Sequence, residues 1–200
     1  MDAKVIPNFL PEPIFKQLQQ IVFKATFPWF LEQFITIPRG ESLSTVNTTK
    51  RNMFYMNHLV YKREHGEPNN PEDQNIVMLL MSKGRYYKDW TTFYELKKET
   101  IPKGQFFDVS PENMIQIKIN YYPNTSEIYE YDYHHDYPFS HIGAVLSLNT
   151  CDGYTKLRET DKKYPSVENT LVIHDASKDH LGTSTTNTLG RFNVNLNYQE

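Results

Sequence analysis

His134, His135 and Asp136 stand together, His180 follows 44 residues after Asp136, and Arg191 comes eleven residues after that. Side chains two apart on a β-strand project from one face, so His134 and Asp136 can grip one metal ion while His135 points away. With His180 as a third ligand, two imidazoles and one carboxylate occupy one face of an iron centre. The remaining positions stay open for substrate and dioxygen, the arrangement of non-haem Fe(II) oxygen chemistry. No further catalytic side chain is needed beyond the metal centre. Arg191 adds a planar guanidinium that matches a carboxylate fork, so it reads as the anchor of an acidic cosubstrate.

Such ligands need rigid elements to aim them. Ile115–Tyr122, Ile142–Asn149, Thr170–Asp175 and Arg191–Tyr198 are short β-branched or aromatic runs divided by Pro, Gly, Asn and Asp turns. That pattern predicts an antiparallel sandwich or barrel. In the last run Asn193, Asn195 and Asn197 alternate with Phe192, Val194 and Leu196, so the three amides share the face of Arg191. Three amides do not make a dry core.

Residues 115–198 resemble the catalytic core of the Fe(II)- and 2-oxoglutarate-dependent dioxygenases, nearest the prolyl-hydroxylase-like branch and its small phage-encoded members. The matching pieces are the Tyr121-Tyr122-Pro123 turn, His134-His135-Asp136, Leu148 to Thr155, Leu171 to Asp175, His180-Leu181-Gly182-Thr183, and Arg191 with Asn195 to Tyr198. The stretch Val5 to Pro11 resembles the start of that family's domains. The resemblance implies a double-stranded β-helix, a jelly roll of the cupin kind, with eight core strands and N-terminal helices packed on one sheet. It implies iron held by His134, Asp136 and His180, with 2-oxoglutarate and dioxygen as cosubstrates and succinate and CO2 as co-products.

In the same comparison Arg191 takes the far carboxylate of 2-oxoglutarate, Tyr122 reaches the cosubstrate pocket or packs as a strand aromatic, and Asn195 lines that pocket. Thr183, or less favourably Thr155, bonds the same carboxylate. Ser147 stands where oxygen-sensing relatives carry a tyrosine that grips the cosubstrate, which implies a looser or water-bridged contact. His174 competes with His180 as third ligand; the Leu-Gly-Thr after His180 favours His180. Tyr129, Tyr133 and Asn197 are substrate-side candidates, the tyrosines alternatively packing over the core edge. If Tyr129-Glu-Tyr-Asp-Tyr133 forms the mouth, a neutral or cationic substrate is expected. His135 and His141 read as solvent-facing or substrate-side.

The implied reaction is hydroxylation of an unactivated C–H, with a prolyl or other residue of a protein or peptide as leading substrate. A free amino acid or small metabolite is the alternative, and a non-catalytic cupin-like binding module is the second class.

Composition bounds the rest. Two hundred residues, 38% hydrophobic and without a low-complexity linker, fit one domain, with residues 1–110 as helical and mixed support and 111–200 as the β core. A net charge of −3 with dispersed cations argues against nucleic acid. One cysteine, Cys151, excludes an intrachain disulfide and fits a reducing compartment. Without a leader-like or membrane-length apolar run, the expected location is the cytoplasm, the host's if the chain is viral.

In the first half, Ile14, Phe15, Leu18, Ile21 and Val22 recur at helical spacing after Pro11-Glu12-Pro13. Met53–Tyr61 reads as a strand, residues 72–83 as a second helix, and 86–96 as further helix with Trp90 and Phe93 inward. Residues 65–71 and 101–104 read as loops.

Overall fold

The computed structural model describes residues 2–32, 54–66, 68, 70–81 and 113–199. Their elements are β1 (Lys4–Ile6), α1 (Glu12–Val22), β2 (Phe30–Glu32), β3 (Tyr55–Lys62), α2 (Pro71–Met81) and β4 (Met114–Pro123), followed by β5 (Ile142–Ser147), β6 (Tyr154–Leu157), β7 (Lys163–Pro165), β8 (Thr170–Asp175), β9 (His180–Gly182) and β10 (Gly190–Tyr198). The expected helix over 86–96, with Trp90 and Phe93, and the loop at 101–104 lie outside the described residues. So does Met53, at the head of the predicted third strand.

The strands form one seven-stranded sheet, ordered β1-β8-β5-β10-β4-β3-β2, and one three-stranded sheet, β7-β6-β9. Every pairing is antiparallel. The fold is mainly β, with a two-sheet core of the double-stranded β-helix kind.

Alternation along β4, β5 and β10 decides what each face of the large sheet meets. Ile117, Ile119, Ala144, Leu146, Val194 and Leu196 lie on one face and join a buried core with Phe15, Leu18 and Val22 of α1 and Ile76, Val77 and Leu80 of α2. The predicted stripe of α1 is therefore its packed face, with Ile14 at the edge of the core. Each Ile, Leu, Val or Phe side chain among them contributes about 1.5–3 kcal/mol on full burial.

The opposite face is polar. Register places Tyr122 against Arg191, Asn120 against Asn193, Lys118 against Asn195 and Gln116 against Asn197. This is the face on which the chemistry is built.

Local sequence sets the helix starts. Pro11 precedes α1 and Pro13 sits in its first turn, where a missing N–H costs nothing. Asn70 caps α2 through its side-chain oxygen, which accepts from Asp73 N–H at 2.9 Å, and Pro71 follows at the first helical position. Asp73 then meets the buried His58 of β3 at 2.7 Å, fastening α2 to the sheet.

The segment carrying Tyr129 to Asp136 departs from expectation. It is not a continuous strand: it meets β9 at the isolated bridge His134↔His180 and the residue just after β9 at Glu130↔Thr183. Counting it with β4 to β10 gives the eight chain passes expected of the core. His134 and Asp136 therefore converge through a loop rather than through the period-two rule. The backbone of His134 is fixed by reciprocal 2.9 Å bonds with His180, and Asp136 N–H donates to Ala176 O at 3.2 Å.

Candidate metal centre and acid pocket

The bridge between His134 and His180 sets two imidazoles side by side, their ring centroids 4.6 Å apart. His134 Nε2 lies 3.6 Å from Asp136 Oδ1, and His180 Nε2 lies 3.8 Å from the same oxygen. These separations are too long for hydrogen bonds. Donor atoms of the three residues all fall within 4.8 Å of one another.

The other ring nitrogens are already used. His134 Nδ1 faces Asp132 O at 3.2 Å and His180 Nδ1 faces Lys178 O at 3.0 Å. A carbonyl can only accept, so each Nδ1 carries a proton and Nε2 is the nitrogen left to ligate a metal. Asn195 Nδ2 donates to Asp136 Oδ2 at 3.3 Å and orients the carboxylate. Two imidazoles aimed through Nε2 and a carboxylate are the donor set a ferrous ion requires.

Electrostatics agrees with that donor set. Burial, followed by repulsion from His180, pulls His134 down to about 4, so it is neutral at physiological pH. Burial opposes the ionisation of Asp136, but His180, Lys118 and the Asn195 amide outweigh it and hold its carboxyl well below the usual range.

This makes metal-free stability pH-dependent. His134 protonates readily only in the unfolded chain, near its ordinary 6.5, so its contribution is complete above that value and disappears as pH falls toward 4. The loss amounts to about 3 kcal/mol from His134. Urea unfolding of metal-free protein at several values between pH 7 and 4 should show it, and a flat profile across that window would contradict the assignment.

His174, the rival ligand, is buried on β8 with its ring 4.7 Å from that of His180. It lies outside the group of converging donors. Its ring crosses Gly143, where a Cβ would come within 3.2 Å of its Cε1.

A pocket leads from His134 and His180 past Asn195 and Asn193 to Arg191, Tyr122 and Thr155. Arg191 is among the largest fully buried side chains, only 2% exposed. Its Nη2 donates to Thr155 Oγ1 at 2.8 Å, Nη1 to Thr183 O at 3.4 Å and Nε to Ser166 Oγ at 3.4 Å. Its carbon centre lies 5.5 Å from the Tyr122 ring. Among the described residues no carboxylate pairs with it. A buried, unpaired guanidinium is costly, and an anionic ligand is what offsets that cost.

Three devices aim this arginine. Asn149 donates to Gly190 O and accepts from Phe192 N–H, both at 2.9 Å, clamping the backbone on either side of Arg191. Gly153 leaves room for its stem: a Cβ there would stand 2.8 Å from Arg191 Cδ. Gly182 does the same for the head, where a Cβ would be 3.1 Å from Nη1.

The remaining candidates fall into place unevenly. Thr155 rather than Thr183 offers its hydroxyl to Arg191; the Thr183 hydroxyl accepts from Tyr154 N–H and donates to Ser184 O, leaving only its carbonyl for the arginine. Ser147 reaches Arg191 through Ser166, whose hydroxyl donates to it at 3.1 Å. Tyr122 is buried, stacks on Tyr55 at 5.7 Å, and burial pushes its phenol up to about 12. Tyr129 packs edge-on against Tyr131, and Tyr133 lies under Arg158. Glu130 accepts from Tyr154 and sits 3.6 Å from Lys163.

Asn197 shares the face of Arg191 but is buried, and neither end of its amide has a hydrogen bond among the described residues. His141 is a correction. It is buried rather than solvent-facing, with Nδ1 held by Phe139 O at 2.8 Å. His135 is partly exposed and lies 3.6 Å from Asp179.

Comparison with solved structures gives this geometry a context. A 2OG-Fe(II) oxygenase family oxidoreductase from Burkholderia pseudomallei superposes with a TM-score of 0.62 at 12% identity, over 99% of this chain and 85% of its own. The fold is that of the 2OG-Fe(II) oxygenases. The Trichoplax adhaerens prolyl hydroxylase, solved with a hypoxia inducible factor peptide fragment, gives 0.58 at 14% identity over 98% and 83% of the two chains. A viral collagen prolyl hydroxylase from Paramecium Bursaria Chlorella virus-1, in its 2OG complex, gives 0.53 at 13% identity over 98% and 95%. No family model and no curated protein sequence matches the chain. The likeness to this oxygenase fold lies in the path of the chain.

Sequence reasoning missed Lys118, Asn149 and Ser166. For Lys118 a signal existed: the alternation used for β10, applied to β4, puts Gln116, Lys118, Asn120 and Tyr122 on one face. No helix of the described residues is long and apolar enough to cross a membrane.

Proposed function

We propose that this protein is an Fe(II)- and 2-oxoglutarate-dependent dioxygenase that hydroxylates an unactivated C–H. The leading substrate is a prolyl or other residue of a peptide. The observation that carries the reading is Arg191, a buried cation without an acidic partner among the described residues, lining one pocket with His134 and His180, whose donors converge with Asp136. Oxygenases with peptide and 2OG complexes among the structures of this fold support it.

In this reading His134, Asp136 and His180 hold the iron through Nε2, a carboxylate oxygen and Nε2. When bound, the metal supports oxidative decarboxylation of 2-oxoglutarate by dioxygen, one oxygen atom entering succinate and the other the substrate C–H. The chain's own contribution is orientation. Arg191 takes the far carboxylate with two charge-assisted bonds, Thr155 fixes the guanidinium, and the Tyr122–Tyr55 stack closes one wall. Asn195 keeps Asp136 turned toward the imidazoles.

Anaerobically iron-loaded protein, given 2-oxoglutarate and then oxygen, should release succinate slowly without any second substrate. His134→Ala protein should release none. No succinate from wild type, together with no 2-oxoglutarate binding by calorimetry, would leave a cupin-like binding module as the reading.

A further inference from the structure

Lys118 occupies the polar face of β4, directly across from Asn195, whose amide bonds Asp136. It is half-buried, and its Nζ stands 5.9 Å from the Tyr55 ring. Tyr55 stacks on Tyr122, and Tyr122 covers Arg191. Two cations therefore flank one tyrosine pair: Arg191 at the base of the pocket and Lys118 level with the metal donors.

Neither nearby acid pairs with Lys118. Burial pulls the Lys118 ammonium below its ordinary range, Asp136 and Glu32 offset this only in part, and among the described residues no carboxylate comes within ion-pair distance of it. Glu32 is exposed on β2, and Asp136 is committed to the metal centre.

Charge counting shows what is missing. A ferrous ion brings two positive charges, and Arg191 and Lys118 bring one each. Asp136 and dianionic 2-oxoglutarate remove three. Imidazoles that offer Nε2 to a metal add no charge, and burial keeps the Tyr122 and Tyr55 phenols neutral. One positive charge is left over, and the half-buried Lys118 is the cation without a taker among these groups. Both cosubstrate carboxylates already have takers, one in Arg191 and the other in the metal. Glu130, between Tyr129 and Tyr131, is turned to Tyr154 and Lys163.

We infer that Lys118 receives a carboxylate of the substrate, so that the carbon to be oxidised belongs to a molecule carrying a free acid a few bonds away. This rests on the function proposed above and narrows it. A free amino acid, or a peptide presenting its C-terminal or a side-chain acid, supplies the same chemistry.

The test titrates the iron-loaded protein under argon, first with 2-oxoglutarate and then with probes, by calorimetry. The probes are the twenty L-amino acids, their carboxamides, and proline-centred tripeptides with or without a free terminal or side-chain acid. At least one acid should bind about tenfold or more tighter than its amide, the worth of one charge-assisted bond. Lys118→Met should erase that preference and Lys118→Arg retain it, with 2-oxoglutarate affinity changing less than threefold in both. Which arm binds, amino acids or tripeptides, identifies the source of the acid.

Equal binding of acids and amides, no binding by any acid, or a preference that survives Lys118→Met would overturn the inference. So would a tenfold loss of 2-oxoglutarate affinity in Lys118→Met, which would assign the lysine to the cosubstrate. Failure of wild type in the first titration sinks the underlying reading, and this one with it.

Discussion

Arg191→Met protein is expected to lose 2-oxoglutarate affinity by a hundredfold or more while melting no lower than wild type when both are ligand-free. The two halves have one cause. Two charge-assisted bonds to a carboxylate are worth about 1.5–3 kcal/mol each, so losing both costs about 3 kcal/mol or more, and each 1.4 kcal/mol is a factor of ten. Without ligand the guanidinium is a buried cation whose hydrogen bonds, among the described residues, go to two hydroxyls and a carbonyl. An isolated buried charge costs several kcal/mol, and methionine of similar length removes that cost. Lysine should not restore binding, because a point charge cannot reproduce the fork. Calorimetry with 2-oxoglutarate and melting curves with and without it read both halves. A ligand-dependent rise in Tm that persists in Arg191→Met would take the arginine out of the site.

The second large effect is on the metal. His134→Ala, Asp136→Ala and His180→Ala should each abolish measurable iron binding and succinate formation, whereas His174→Ala should keep both. Loss of an outer partner, as in Asn195→Ala, typically costs about 10–100-fold in metal affinity, and loss of a ligand should exceed that clearly. Anaerobic Fe(II) titration separates the cases. Normal iron binding in His180→Ala, with loss in His174→Ala, would transfer the third ligand to β8.

Much of this architecture was legible because it depends on local alternation. The run from Arg191 to Tyr198 places its asparagines with the arginine at any angle the sheet adopts, and the register with β4 follows. The gathering of His134, Asp136 and His180 was expected too, though by a different route. The chain around Asp136 is held by bonds to β9 and to Ala176, contacts between distant segments that no two-residue spacing encodes.

What stayed hidden depends on distances between elements. Thr155 and Thr183 are equivalent as residue types, and only the antiparallel pairing of β6 with β9 and the reach of Arg191 select the hydroxyl of the first. His141 follows a Pro-Phe-Ser loop, which reads as surface, yet its ring is buried and held by the Phe139 carbonyl. Along the chain Lys118 is one of many dispersed lysines. Its meaning emerges only once β4 lies beside β10.

The clamp made by Asn149 has one more consequence. It sits just beyond the end of β5, where the chain leaves the large sheet for the small one, and it grips β10 by a side chain instead of a further rung of backbone. The crossover and the aim of Arg191 are thereby one mechanical unit. A graft that lengthens or swaps this connection would misdirect the arginine even with every pocket residue intact. Conversely, this short corner can be carried into another barrel of the same shape as a single cassette, bringing the orientation of a carboxylate-binding arginine with it.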